Sequence, residues 1–338
     1  MITGGTYKIV AADNGITAKD QIKILNGSFD IDAANSAVKA KNTDDAELGN
    51  IYIAGGVFTV KAEQDGFHAT GSIVVDDGTI TVNSGDDGFH AELDTVIRGG
   101  TILVEKSNEG LEGKRVVVNG GDITINASDD GINAANSGDD GANAINPGAN
   151  AAGSGDDDSN AASSNDDSSA VVNSGDDGSI SGAADGKEPP QMPPDTENGS
   201  DMQPSQDFDP ENAPSDGDAP QMMQRGPGGG GNSELYIKIT GGTLTVSADG
   251  DGLDSNGGLL VTGGTTIVYG PTSDGDSALD YDGSAIVTGG TLAAIGSAGM
   301  TESFDEASTQ PVITYYCTET QSADTTITLT DSDGSALF

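Results

Sequence analysis

Gly78-Thr79-Ile80-Thr81-Val82, Asp86-Asp87-Gly88-Phe89-His90-Ala91 and Val96-Ile97 make up one phrase of this chain. The next phrase follows 22 residues later: Gly100-Thr101-Ile102-Leu103-Val104, Asn108-Glu109-Gly110-Leu111 and Val116-Val117-Val118. A self-similar period of this length is the mark of a stacked, solenoid architecture. Working outward, the second Gly of each Gly-Gly, or its equivalent, falls at Gly5, Gly27, Gly56, Gly78, Gly100, Gly121, Gly242, Gly264 and Gly290. A second landmark follows at Gly15, Ala37, Gly66, Gly88, Gly110, Gly131 and Gly252. In the coil from Gly264 it is delayed to Ala278 by a small insertion at Gly270-Pro271-Thr272-Ser273.

Within each coil the pattern alternates. Ile80 and Val82, Ile102 and Val104, Ile123 and Ile125, and Leu244 and Val246 are separated by polar residues, often Thr. That period of two predicts strands with one buried face. A second strand buries Phe67/Ala69, Phe89/Ala91 and Ile132/Ala134; a third buries Ile51/Ile53, Ile73/Val75, Val116/Val118 and Leu259/Val261. Three short strands per coil predict an all-β fold, a right-handed parallel β-helix of about 22 residues per coil. The expected division is coils over 1–134, a low-complexity insert over 135–234, further coils over 235–310 and C-terminal strands over 311–338.

The insert is Asn/Asp/Ser/Gly/Ala-rich and then Pro/Met/Gln-rich, a composition that cannot bury a core and is expected to be disordered. Pro311–Tyr316 and Thr325–Leu329 read as two strands outside the repeat, and Asp331-Ser332-Asp333-Gly334 as a turn into a further strand. The chain begins and ends inside such elements, which reads as a fragment without a signal peptide.

Formal net charge is −42, from 55 acidic and 13 basic residues. That sign is wrong for a phosphate-binding surface and argues against nucleic acid as a partner. No apolar run is long enough to span a bilayer, so membrane insertion is not expected. Cys317 is the sole cysteine, so no intrachain disulfide forms.

The acidic corner carries the chemistry. Stacking at the repeat places Asp65, Asp87, Glu109 and Asp130 in one column and Asp86 and Asp129 in a neighbouring one. Asp249, Asp251, Asp254, Asp274, Asp276, Asp280 and Asp282 continue this side beyond the insert. Two carboxylates a few ångström apart repel by ~1 kcal/mol in water and by ~4 kcal/mol at a partly buried surface. A column of them calls for a cation, and Ca²⁺, which takes six to eight oxygens, suits it. A single Asp-Gly is more simply a turn dipeptide.

His68 and His90 stack one coil apart. A His pair can bind a transition metal, but the ordinary reading is two exposed surface residues. The ladder Thr59, Thr79, Thr81, Thr101, Thr124, Thr243 and Thr245 reads as β-branched residues on an exposed strand face rather than an ice-binding plane.

Gly241-Gly242-Thr243-Leu244-Thr245-Val246-Ser247-Ala248-Asp249-Gly250-Asp251-Gly252-Leu253-Asp254-Ser255-Asn256-Gly257, with Tyr269-Gly270-Pro271-Thr272 and Ala278-Leu279-Asp280-Tyr281-Asp282-Gly283, resembles the bacterial, mostly clostridial, carbohydrate-binding domain-containing family. The resemblance implies a secreted or cell-surface right-handed β-helix, associated with Ca²⁺ and with cellulose-like or acidic pectic polysaccharides. It also implies metal-binding roles for the Asp positions named above.

The leading expectation is a non-catalytic extracellular polysaccharide binder. A pectate-type lyase and a structural or adhesive surface solenoid are the alternatives, because fold alone does not fix function. A lyase needs a base, typically Arg or Lys, beside its metal, and the coils offer two arginines, Arg98, expected to pair with Asp76, and Arg115, with few lysines and no basic cluster on the acidic column.

Overall fold

The alternation of apolar and polar residues along each coil becomes three parallel sheets in the computed structural model, which describes residues 1–45, 47–136, 231–322 and 325–336. The first sheet has nine strands, from Thr6–Ala11 through Thr79–Asn83 to Thr291–Ile295. The other two have eight each, running from Ile16–Ala18 to Leu279–Tyr281 and from Gln21–Ile24 to Ala285–Val287. Successive strands of a coil enter successive sheets, so each of the first eight coils contributes one rung to every sheet and the last adds only Thr291–Ile295. The result is a β-solenoid of about nine turns with no helix among the described residues. The chain divides into two units, Met1–Ala149 with Phe208–Phe338, and Asn150–Asp207. The solenoid belongs to the first, and the second lies wholly outside the described residues.

Register is in phase with the repeat. Ile80 lies beside Ile102 and Val82 beside Val104, and Ile102 in turn beside Ile123. Every inward position of these strands is buried, while the outward ones stay wet, as in the exposed-buried alternation of Ser28–Ala33. The core is therefore a set of stacked identical layers. Tyr7, Phe29 and Phe58 stack with ring centroids 5.0 and 4.6 Å apart, and Phe67 stacks on Phe89 at 4.7 Å. Offset aromatic stacks of this kind add to the burial term.

The nine Gly landmarks have a backbone reason. Each sits at positive φ, for example +94° at Gly100 and +98° at Gly121. A Cβ at Gly100 would also come 2.7 Å from the Gly78 carbonyl oxygen. Only Gly adopts this conformation and this approach without strain.

The coils continue across the long insert. Arg115–Val118 pairs with Tyr236–Ile239, Asp122–Ala127 with Thr243–Ala248, and Ile132–Ala134 with Leu253–Ser255. The disorder expected of the insert falls on 137–230, outside the described residues. Its two edges are described: Ala135 donates its amide to the Gly113 carbonyl at 3.2 Å, and Asn232 to that of Asn256 at 3.0 Å.

The C-terminal expectation needs correction. Neither Pro311–Tyr316 nor Thr325–Leu329 forms a strand; both are exposed. One C-terminal sheet edge, that of Ala285–Val287, is taken by the residues just before them. Asp305 donates its amide to the Ala285 carbonyl at 2.8 Å and accepts the Ala285 amide at 3.1 Å. Thr309 donates to the Val287 carbonyl at 3.1 Å, and Phe304 packs on the core. The expected turn at Asp331–Gly334 is present, closed by an isolated antiparallel bridge between Thr330 and Ala336.

Candidate functional site: a double column of polar side chains

The corner between the first and second sheets carries two adjacent columns. The first is formed by the residue just before each second landmark: Asn14, Ser36, Asp65, Asp87, Glu109, Asp130, Asp251 and Ser277. Backbone hydrogen bonds tie these rungs together, as from Gly66 to the Asp87 carbonyl (2.8 Å), Gly88 to Glu109 (2.9 Å) and Gly131 to Asp251 (2.9 Å). The side chains add a second tie. The Asp87 amide donates to Asp65 Oδ1 (3.4 Å), the Glu109 amide to Asp87 Oδ1 (3.2 Å), and the Asp251 amide to Asp130 Oδ1 (2.7 Å). One oxygen of Asp65, Asp87 and Asp130 thus caps the next coil, which uses the corner position structurally and leaves the other oxygen for different work; Glu109 instead accepts the Asn133 side-chain amide.

The second column lies three residues further on, in the middle of each second strand. Register places Thr17, Lys39, His68, His90, Glu112, Asn133, Asp254 and Asp280 in one line. Each coil therefore presents an i, i+3 pair toward one groove. Asp65 faces His68 and Asp87 faces His90; then come Glu109 with Glu112, Asp130 with Asn133, and Asp251 with Asp254.

The histidines are not the exposed surface pair expected from sequence. His68 is 1% exposed and its Nδ1 lies 2.8 Å from Asp65 Oδ2. His90 is half-buried, with Nδ1 3.0 Å from Asp87 Oδ2 and also in close contact with Glu112 Oε2. The two rings stack at 4.9 Å with 3° between planes. The strand alternation that suggested an outward, wet position holds, but each ring there is bonded to its corner carboxylate and stacked on its neighbour.

Charge along the groove is uneven. At the N-terminal end basic side chains face acidic ones. Burial opposes ionisation of Asp65, yet the hydrogen bond and charge of His68 outweigh it and hold Asp65 below its usual 3.8. Beyond His90 the basic partners stop, and burial dominates. It pushes Glu109 up to about 10, with Asp87, Glu112 and Asp130 adding repulsion. It pushes Asp87 and Asp254 up to about 8, and Asp130 and Asp251 up to about 7. Burial works against the charged form of His90 as well, but Asp87 and Glu112 raise it well above 6.5. Asp87 and His90 both rise because the cluster as a whole retains protons that neither group would keep alone.

Two oxygens in this stretch are orphaned. Glu109 Oε2 and Asn133 Oδ1 are buried without a hydrogen-bond partner, although Asn133 Nδ2 donates to Glu109 Oε1 at 3.2 Å. Buried oxygens without donors are costly. A third observation concerns Gly250. Asp129 Oδ1 and Asp130 Oδ1 close over its Cα, so that a Cβ there would meet them at 2.7 and 2.8 Å. Glycine at this position makes room for two carboxylates. An all-oxygen donor set with orphaned acceptors fits a hard cation such as Ca²⁺.

The acidic residues singled out from sequence are distributed as follows. Asp65, Asp87, Glu109, Asp130 and Asp251 share the first column, and Asp254 and Asp280 the second. Asp86 and Asp129 lie beside the first column with Asn108 between them, linked by backbone bonds of 2.8 and 3.0 Å. Oxygens of Asp65, Asp86 and Asp87 come within 4.8 Å of one another. Asp276 adds repulsion at Asp129, Asp130 and Asp251. Asp249 and Asp274 are exposed and stand outside both columns; Asp274 instead accepts the Ser297 hydroxyl. Sequence reasoning missed Glu112 and Asn133 and the buried state of His68. The signal was there: a polar residue three positions after every corner carboxylate.

Both coil arginines are engaged elsewhere. Arg98 Nη1 lies 3.0 Å from Asp76 Oδ1, where Tyr52 also donates to Asp76. Arg115 binds Asp94 through two nitrogens.

A parallel β-solenoid with a buried acidic corner is thus the class of protein that fold and site define. A family model described as carbohydrate-binding domain-containing protein matches residues 1–159, to which the chain is similar over that stretch. No curated protein and no solved structure matches the chain.

Proposed function

We propose that this chain is a non-catalytic polysaccharide-binding protein of the cell exterior, and that its acidic corner holds Ca²⁺. The family match supports the carbohydrate. The observation that carries the cation is the run Asp130, Asp251 and Asp254: buried or half-buried carboxylates with which, among the described residues, no basic side chain pairs. Asp130, Asn133, Asp251, Asp254 and Asp280 are the residues to hold it, with Asp129 and Asp276 at the outer edge. Bound Ca²⁺ supplies coordination positions that carboxylates of an acidic, pectin-like polymer can share. Without it, a chain of net charge −42 repels a polyuronate. Cellulose-like glucans, being neutral, are the second ligand class, and their binding depends on Tyr and Thr side chains rather than on Ca²⁺.

The engagement of Arg98 with Asp76 and of Arg115 with Asp94 speaks for binding over lyase chemistry, since β-elimination needs a base within hydrogen-bond reach of the proton removed. A pull-down against a polysaccharide panel, with Ca²⁺ and with EDTA, tests the reading. Retention on polygalacturonate that requires Ca²⁺ supports it. Retention on no polysaccharide would favour an adhesive or structural solenoid. Steady release of unsaturated uronide would make the protein a lyase.

A further inference from the structure

We propose that Asp87, His90, Glu109 and Glu112 form a transition-metal site, distinct in chemistry from the all-oxygen stretch that follows. His90 Nδ1 and oxygens of Asp87 and Glu112 all lie within 4.8 Å of one another. Nδ1 has one lone pair or one proton, so it can serve one carboxylate well; here it contacts two, Asp87 Oδ2 at 3.0 Å and Glu112 Oε2 more closely. Three heteroatoms therefore converge where a single proton links only two.

An independent observation points to the same place. Glu109 is more than nine-tenths buried, its Oε2 has no hydrogen-bond partner, and the charges it meets most strongly are those of Asp87 and Glu112. Three carboxylates and one imidazole cannot be neutralised by the imidazole alone. A dication offsets the excess.

The preceding coil shows the same geometry closed without a metal. Asp65 Oδ2 takes His68 Nδ1 at 2.8 Å and the Ser36 hydroxyl at 3.2 Å, so both of its partners are ordinary donors. His68 then stacks on His90 and fixes the plane of the ligand ring. Asp87-x-x-His90 in one coil and Glu109-x-x-Glu112 in the next supply one nitrogen and three carboxylates. Imidazole favours zinc-like ions, whereas Ca²⁺ takes oxygen. The coil after these replaces the pair by Asp130 and Asn133, and the donor set becomes all oxygen. One double column thus carries two cation chemistries, divided at Glu112.

The test is calorimetric titration of the full chain with Zn²⁺ in buffer holding millimolar Ca²⁺, which occupies the hard sites first. One Zn²⁺ should bind tightly, and the His90 ring resonances should shift in step with it. His90→Ala should weaken that binding by about tenfold or more, the scale on which even supporting groups of metal sites act. Asp254→Asn should leave Zn²⁺ binding unchanged while weakening Ca²⁺. If His90→Ala melts early, Glu112→Gln, which keeps the side-chain volume, replaces it and should cause the same loss. Zn²⁺ binding that is absent, or that both variants leave unaltered, overturns the proposal. Either result leaves the Ca²⁺ reading standing, because Asp254→Asn reads that separately.

Discussion

With divalent cations removed, this protein should lose stability as pH rises through neutrality, the reverse of the common behaviour of acidic proteins. Asp130 shows why. It is 7% exposed, and burial followed by the Asp129 charge raises its carboxyl from 3.8 to about 7. The folded state therefore binds a proton that the unfolded chain gives up. A raised folded pKa contributes stability that is complete below the unfolded value and is lost as pH climbs through the folded one. Three units correspond to ~4 kcal/mol for this one group, with a slope near −1.4 kcal/mol per pH unit between about pH 4 and 7. Asp254 and Glu109, raised to about 8 and about 10 by the same burial, act in the same direction at higher pH. His90 does too: held well above 6.5, it begins to lose its contribution as pH passes that value and has lost it only once pH exceeds the raised one. Asp65 acts oppositely, its contribution vanishing as pH falls through its lowered value.

A domain is stable by roughly 5–15 kcal/mol in total, so a few such groups decide whether the apo protein stays folded at pH 8. The assay is denaturant unfolding followed by circular dichroism, from pH 5 to 8, in EDTA and in Ca²⁺. In EDTA the unfolding free energy should fall steadily with pH. In Ca²⁺ the fall should be much smaller, because the carboxylates then exchange protons for metal. A flat or rising profile in EDTA between pH 5 and 7 would refute the buried, uncompensated column.

Other outcomes follow from the same coordinates. Ca²⁺ at one hundred times its dissociation constant should raise stability by about 2.7 kcal/mol at neutral pH, and the pair Asp130→Asn with Asp251→Asn should abolish that gain, as read by thermal melting. The same double variant should be more stable than the parent in EDTA at pH 8, since it removes charges that the fold must otherwise bury. Deleting 137–230 with a short linker should preserve a cooperative, β-rich melt, because Arg115–Val118 already pairs with Tyr236–Ile239; a non-cooperative melt would contradict that pairing. Phe58→Ala should cost about 3–5 kcal/mol by opening a cavity between the Phe29 and Phe67 rings. Arg115→Ala should cost about 3–5 kcal/mol by leaving buried Asp94 without its two-point partner.

The fold was legible because a solenoid writes its geometry into local spacing. Positive φ at nine recurring glycines and burial at every second residue of Ile102–Val104 or Leu244–Val246 are demands that each coil meets by itself. The first column was legible for the same reason: equal spacing in sequence becomes stacking in space. The C-terminal strands were not, because β propensity in Pro311–Tyr316 says nothing about whether an edge is free. Asp305 and Thr309 had already taken it.

The second column was hidden by a different cause. Outward positions on a strand ordinarily face water, and His68, His90 and Asn133 occupy such positions. Beside each stands the side chain three residues earlier, held at the corner by its bond to the next coil's amide. That bond exists only between coils, so no single repeat reveals it. Once it is in place, the identity of the i+3 residue sets the chemistry of its rung. Histidine at this position closes an ion pair with the corner carboxylate; glutamate, asparagine or aspartate leaves oxygen facing oxygen. A fold that repeats one backbone can therefore change its affinity for cations from rung to rung by substituting a single outward position, while the capping oxygens of the corner aspartates keep the coils in register.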